Sequence, residues 1–157
     1  MFKYLFVQGL VSFLICHLFY ISLYITETKE KEVRKRLTLR QEILITIPYF
    51  VFAIAILGFL YPHLGEMKVP VVSYAVIIII MGRLTWLRYS KTTSMSFKMV
   101  MIGAILFVIS DFSIAIDRFV YKAKINYLII GVSYLAAQYL IIHGIIEGNK
   151  KGKTKRD

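Results

Sequence analysis

"VVSYAVIIIIMG", residues 71–82, is apolar almost without a break. A transmembrane β-strand would show roughly ten residues alternating between apolar and polar. This stretch does not alternate, so it reads as a helix. It extends to Val69–Leu87, close to the roughly 20 residues that cross a bilayer at about 1.5 Å each. Working outward, four similar segments appear: Tyr4–Ile25, Ile43–Tyr61, Met99–Val120 and Tyr127–Ile146. About 58% of the chain is apolar, above the roughly 45–50% of an ordinary soluble domain. The fold class is all-α: a polytopic membrane bundle of about five transmembrane helices. Residues 1–157 form one bundle ending in a basic tail, 147–157, since no repeat, low-complexity segment or long linker divides the chain.

The net charge of +11 raises the question of nucleic acid, but its placement follows the membrane. Lys29, Lys31, Arg34, Lys35, Arg36 and Arg40 lie in the first loop, Arg88, Lys91 and Lys98 after the third span, and Lys150, Lys151, Lys153, Lys155 and Arg156 in the tail. In a five-span chain these share one side, and only Lys3, Lys68, Arg118, Lys122 and Lys124 lie opposite. The positive-inside rule then puts the amino terminus outside and the carboxyl terminus inside. The first span lacks a small-residue cleavage site and reads as a retained helix. Cys16, inside it, has no cysteine to pair with. The protein is expected to be an integral, multi-pass membrane protein, in the plasma membrane if bacterial or the endoplasmic reticulum if eukaryotic.

Charged groups near the centre of a bilayer cost several kcal/mol and face a partner or a cavity. Counting from span midpoints at about 1.5 Å per residue, Asp111 lies about 2 Å outward, His17 about 4 Å inward, Gln138 about 2 Å inward and Arg83 about 7 Å inward. Four such groups on four helices at similar depth point to a shared interior site. Tyr20 shares a face with His17, and Tyr134 one with Gln138. Ser110 and Ser113 flank Asp111, and Ser133 and Ala137 are spaced for close helix approach. Asp117 lies about 120° around the helix from Asp111, so the two form no carboxylate dyad. His63 and His143 have no partner spacing, although His143 could in principle join His17 and Asp111 around a metal. No soluble-enzyme motif is present, and no metal or cofactor is expected.

Several stretches together resemble the YhhN-like membrane family: "GLVSFLICHLFYISLY" (9–24), "VPVVSYAVIIIIMGRLTW" (69–86), "IGAILFVISDFSIAIDRF" (102–119) and "YLIIGVSYLAAQYLI" (127–141). The most specific part is the G-A-x-L-F-x-x-S-D pattern followed by a Tyr-x-x-A-Gln pair, with F-x-x-x-H-x-x-Y as a second marker. Family members have about eight spans, with an acidic Gly-Asp motif in a span ahead of the region matched here. The resemblance therefore implies the carboxyl-terminal portion of such a protein, about five of eight spans. Removing about three spans from a chain with both termini inside leaves the new terminus outside, as the charge asymmetry requires.

The family's characterised animal members are lysoplasmalogenases. The resemblance thus implies hydrolysis of the vinyl ether of a lysophospholipid to a fatty aldehyde and a glycerophospho-alcohol, with the bilayer as setting and no nucleic acid involved. On that reading Asp111 is the general acid or stabilises the cation. His17, Tyr134 and Gln138 orient water or headgroup, with Tyr20 and Ser110 beside them, and Arg83 attracts the phosphate. The second carboxylate would come from the absent spans. Two other readings stay open. A non-catalytic lipid-binding or scaffold bundle predicts that Asp111→Asn is tolerated. A proton-coupled transporter fragment would use Asp111 and His17 as a relay, but it lacks the broken helix pair such sites often use.

Overall fold

The computed structural model describes residues 2–29 and 38–153. Lys31, Arg34, Lys35 and Arg36 of the expected basic loop, and Lys155 and Arg156 of the tail, lie outside the described residues. The described chain forms five helices: α1 (Phe2–Lys29), α2 (Leu39–Leu60), α3 (Lys68–Leu87), α4 (Ser94–Phe119) and α5 (Lys124–Lys153). Short 3-10 turns, Tyr61–His63, Gly65–Met67 and Arg88–Ser90, sit in the connections, and the described residues contain no strand. Four helices, α1, α3, α4 and α5, are long and apolar enough to cross a membrane. The segment expected to supply the fifth span falls on α2 and the 3-10 turn after it, where the described apolar stretch Phe50–His63 is shorter than those four. The chain is an integral membrane helix bundle.

Several helices outrun their apolar segments because polar caps and buried charges lie beyond the hydrophobic run. Thr38 caps α2 in a reciprocal box: Gln41 N–H donates to Thr38 Oγ1 at 3.3 Å, and Thr38 N–H donates to Gln41 Oε1 at 3.0 Å. Thr93 caps α4, accepting from the Ser96 N–H at 3.2 Å. Such caps satisfy backbone donors that the first turn leaves open. Between α2 and α3 the chain reverses through Pro62 and through Gly65, whose φ of +52° is a left-handed conformation that glycine adopts without penalty.

α4 and α5 form the tightest pair, antiparallel and joined through small residues. A Cβ on Gly103 would lie 3.0 Å from the Ala137 carbonyl oxygen, and one on Gly144 would lie 2.7 Å from Val100 Cγ2. Ser96 Oγ donates to the Gly144 carbonyl at 2.6 Å, locking the register. Lipid supplies no hydrophobic drive between helices, so close backbone packing and interhelical hydrogen bonds hold such pairs together. α1 lies across α3 and the α4–α5 pair, inserting Tyr20 and Tyr24 into a core with Met81, Val100, Ala104, Phe107, Ala137 and Ile141. α2 packs on α3 and α4 around a smaller apolar cluster of Leu60, Leu64 and Val71. Large apolar side chains such as Phe19, Leu128 and Leu135 face outward, as a lipid-facing surface requires.

Candidate active site in the bundle

His17 is fully buried on α1, and its neighbours define its chemistry. Nδ1 lies 2.7 Å from the Phe13 carbonyl oxygen. A carbonyl only accepts, so Nδ1 carries the proton and Nε2 of the neutral ring is an acceptor. Nε2 has no hydrogen-bond partner and lies 3.6 Å from Asp111 Oδ2 on α4, whose side chain is 7% exposed. Two bare acceptors at that separation would repel in a medium too apolar to screen them. The pair therefore shares one proton, held on the carboxyl group or on the ring.

α3 supplies the third member: the Tyr74 hydroxyl donates to Asp111 Oδ2 at 2.9 Å. The His17 ring stands edge-on to Tyr74, centroids 5.3 Å apart, and to Phe107 at 4.6 Å. Both polar contacts of Asp111 thus converge on Oδ2, leaving Oδ1 as the oxygen that can meet a substrate. Two apolar clefts reach this carboxyl group. One, between α2, α3 and α4, is a half-open cleft with a cavity volume of about 90 Å³, lined by residues including Phe52, Leu57, Ile79 and Val108. The other, between α1, α3 and α4, has a cavity volume of about 250 Å³ and runs past Leu10 to Phe6 and Phe119. Val71, Tyr74, Asp111 and Ala115 line both. Asp111 is the one carboxylic acid among the residues that line either cleft.

The remaining residues expected at the site divide into groups. The Tyr20 hydroxyl donates to Gln138 Oε1, and Gln138 Nε2 reaches Cys16 Sγ at 3.8 Å, joining α1 to α5. Tyr134 packs edge-on against Phe13 and Phe107. Phe107 contacts His17, Tyr20 and Tyr134, and so stands between the Asp111 pair and this second polar pair. Ser110 is turned toward α5, where Oγ donates to the Ile130 carbonyl at 3.3 Å. Arg83 is placed elsewhere. It lies nine positions along α3 from Tyr74, about 13 Å toward the opposite end of the bundle, and pairs with Glu42 at 3.2 Å with both side chains about a third exposed. His143 is exposed and bonded to its own helix at the Tyr139 carbonyl, so it does not join His17 and Asp111. Among the described residues no group of three His, Cys, Asp or Glu side chains could hold a metal.

A second buried polar cluster corrects the reading of Arg88 as a loop charge. It is fully buried, forms an ion pair with Glu27 of α1, donates to Ser96 Oγ at 2.9 Å, and lies 5.2 Å from the Tyr24 ring centroid. Desolvation draws its guanidinium down to about 10, which leaves it charged at neutral pH. Glu27 belongs to a stripe, His17–Tyr20–Tyr24–Glu27, whose helical spacing turns one polar edge of α1 inward. That spacing is the signal by which Tyr24 and Glu27 could have been found. Tyr74 left a weaker one, a hydroxyl-bearing ring within an apolar span.

A family model described as the YhhN family matches residues 2–145. No curated protein and no solved structure matches the chain.

Proposed function

Since the chain belongs to the YhhN family, we propose that it hydrolyses the vinyl ether bond of a lysoplasmalogen within the membrane, with Asp111 as general acid. The supporting observation is the position of the Asp111 carboxyl group, in the lining of two apolar clefts and 3.6 Å from a buried imidazole acceptor. A lysolipid needs an apolar channel for its chain. A vinyl ether needs a proton at carbon, and a carboxylic acid in low dielectric favours its neutral, proton-bearing form.

In the proposed reaction Asp111 transfers its proton to the second carbon of the alkenyl chain. The double-bond electrons form the new C–H bond, and an oxocarbenium ion develops at the first carbon. The carboxylate left behind stabilises that cation, as in glycoside hydrolysis. Water adds to the first carbon while His17 Nε2 accepts its proton, giving a hemiacetal. Return of that proton to the ether oxygen, as the C–O bond breaks and the hemiacetal hydroxyl loses its proton to Asp111, yields aldehyde and alcohol. Tyr74, by donating to Oδ2, holds Asp111 with Oδ1 toward the cleft.

Fatty-aldehyde release from an alkenyl lysolipid by the purified chain in detergent, beside its acyl counterpart and an Asp111→Asn variant, tests the proposal. Removing a general acid costs about 10²–10⁴ in rate. The expected result is aldehyde from the alkenyl lipid alone and a loss of that order in the variant. Undiminished release by a folded Asp111→Asn protein, or no release by the folded wild type, overturns it.

A further inference from the structure

The cleft between α1, α3 and α4 ends at Phe6 and Phe119, whose rings meet edge-on with centroids 5.3 Å apart. A cation stands there: Arg118 Cζ lies 5.3 Å from the Phe6 centroid. Arg118 and Asp111 are seven residues apart on α4, which is two turns, so they lie on one face within about 20° and about 10 Å apart along the axis. Ile114 and Ala115, in the intervening turn, line the same cleft. Asp111 also lines the second cleft, with Phe52 and Val108. The order from the Phe6 end is cation, carboxyl group, second apolar cleft.

A single-chain phospholipid has the same order: phosphate, the oxygen-bearing first chain carbon, hydrocarbon. We propose that Arg118 binds the phosphate of the lysolipid and sets the register that brings the chain's first two carbons to Asp111, with the chain in the cleft between α2, α3 and α4. The proposal rests on the lysolipid reading above and assigns to Arg118 the headgroup contact that the sequence pattern suggested for Arg83. A guanidinium forks two N–H donors onto phosphate oxygens. Its long stem reaches from an apolar wall to the polar boundary, and the Phe6 face under it restricts its swing. The glycerol bridge and the two side chains together span the 10 Å interval.

The test uses the full chain in detergent with three probes: an alkenyl glycerophosphocholine, the phosphate-free alkenylglycerol, and chainless glycerophosphocholine. Binding and aldehyde release are read in parallel. Arg118→Gln is expected to weaken binding of the phosphate-bearing lipid about tenfold, the scale of one charged contact, and to raise its KM while lowering kcat as the register is lost. Alkenylglycerol is unaffected, and the chainless probe binds weakly throughout, which separates a lipid headgroup from free phosphate. Arg118→Lys, which keeps the charge and loses the fork, shows a smaller loss confined to the phosphate-bearing lipid. It decides the matter if the glutamine variant fails to fold. An unchanged preference for the phosphate-bearing lipid in the folded variants overturns the assignment. A wild type that binds with Arg118-dependent preference but releases no aldehyde overturns the hydrolase reading and leaves the headgroup site standing.

Discussion

Replacing Gly103 with alanine places a methyl group in the closest approach of α4 to α5. Its Cβ would lie 2.8 Å from Ile141 Cγ1, 3.0 Å from the Ala137 carbonyl oxygen and 3.1 Å from the Ile141 nitrogen. The Ile141 tip can rotate away, but the other two atoms are α5 backbone and move only with the helix. The pair must therefore part by several tenths of an ångström. Ala137, Ile141, Val100 and Phe107 are fully buried there, and opening such a contact forfeits much of its dispersion energy. Overpacking of this kind costs about 1–3 kcal/mol, against up to about 1 kcal/mol regained from alanine's higher helix propensity. The net expectation is a loss of about 1–2 kcal/mol. Gly131→Ala is the control, since a Cβ there meets nothing within 4 Å and should gain about 0.5–1 kcal/mol. Reversible unfolding in mixed micelles with increasing sodium dodecyl sulfate, followed by circular dichroism, measures both. A Gly103→Ala protein as stable as wild type, or two variants that shift alike, refutes the packing argument.

Arg88→Met leaves Glu27 buried without its cation and should cost about 3–5 kcal/mol in the same unfolding assay; adding Glu27→Leu should restore most of it, because the hydrophobic pair removes both desolvation penalties. Tyr74→Phe deletes one donor to Asp111; stability should change by no more than about 1 kcal/mol, while kcat for aldehyde release falls about tenfold with KM nearly constant. Arg83→Gln breaks a partly exposed pair, so stability should fall by at most about 1 kcal/mol. The KM for the lysolipid should not rise, and a rise would return Arg83 to substrate binding.

The helices were readable because a continuous apolar run has one good solution in a bilayer, and "VVSYAVIIIIMG" is such a run. Their ends were not, because Thr38 and Thr93 cap before the apolar residues begin and Glu27 continues α1 beyond them. Asp111 and His17 could be paired from depth alone, since each is costly by itself and their levels differ by only about 6 Å, little more than one turn. Depth is blind to direction around a helix. Gln138 shares that level, yet Phe107 stands between its partner Tyr20 and the His17–Asp111 pair. Arg83 and Arg88 lie five positions apart, about 140° around an ideal helix. The one counted as deeper is a third exposed beside Glu42, and the one assigned to a loop is buried against α1. Tyr74 was overlooked because a tyrosine in an apolar span reads as core until a carboxyl group is seen opposite it.

The account turns on Asp111 delivering a proton to carbon. Aldehyde release carried out in heavy water, with the product reduced at once to an alcohol to stop later exchange, measures that step. Proton delivery by Asp111 predicts one solvent deuterium on the carbon next to the former carbonyl, a rate lower than in ordinary water, and labelled product from Asp111→Asn formed about 10²–10⁴ more slowly. Aldehyde formed by the wild type without deuterium at that carbon would contradict it.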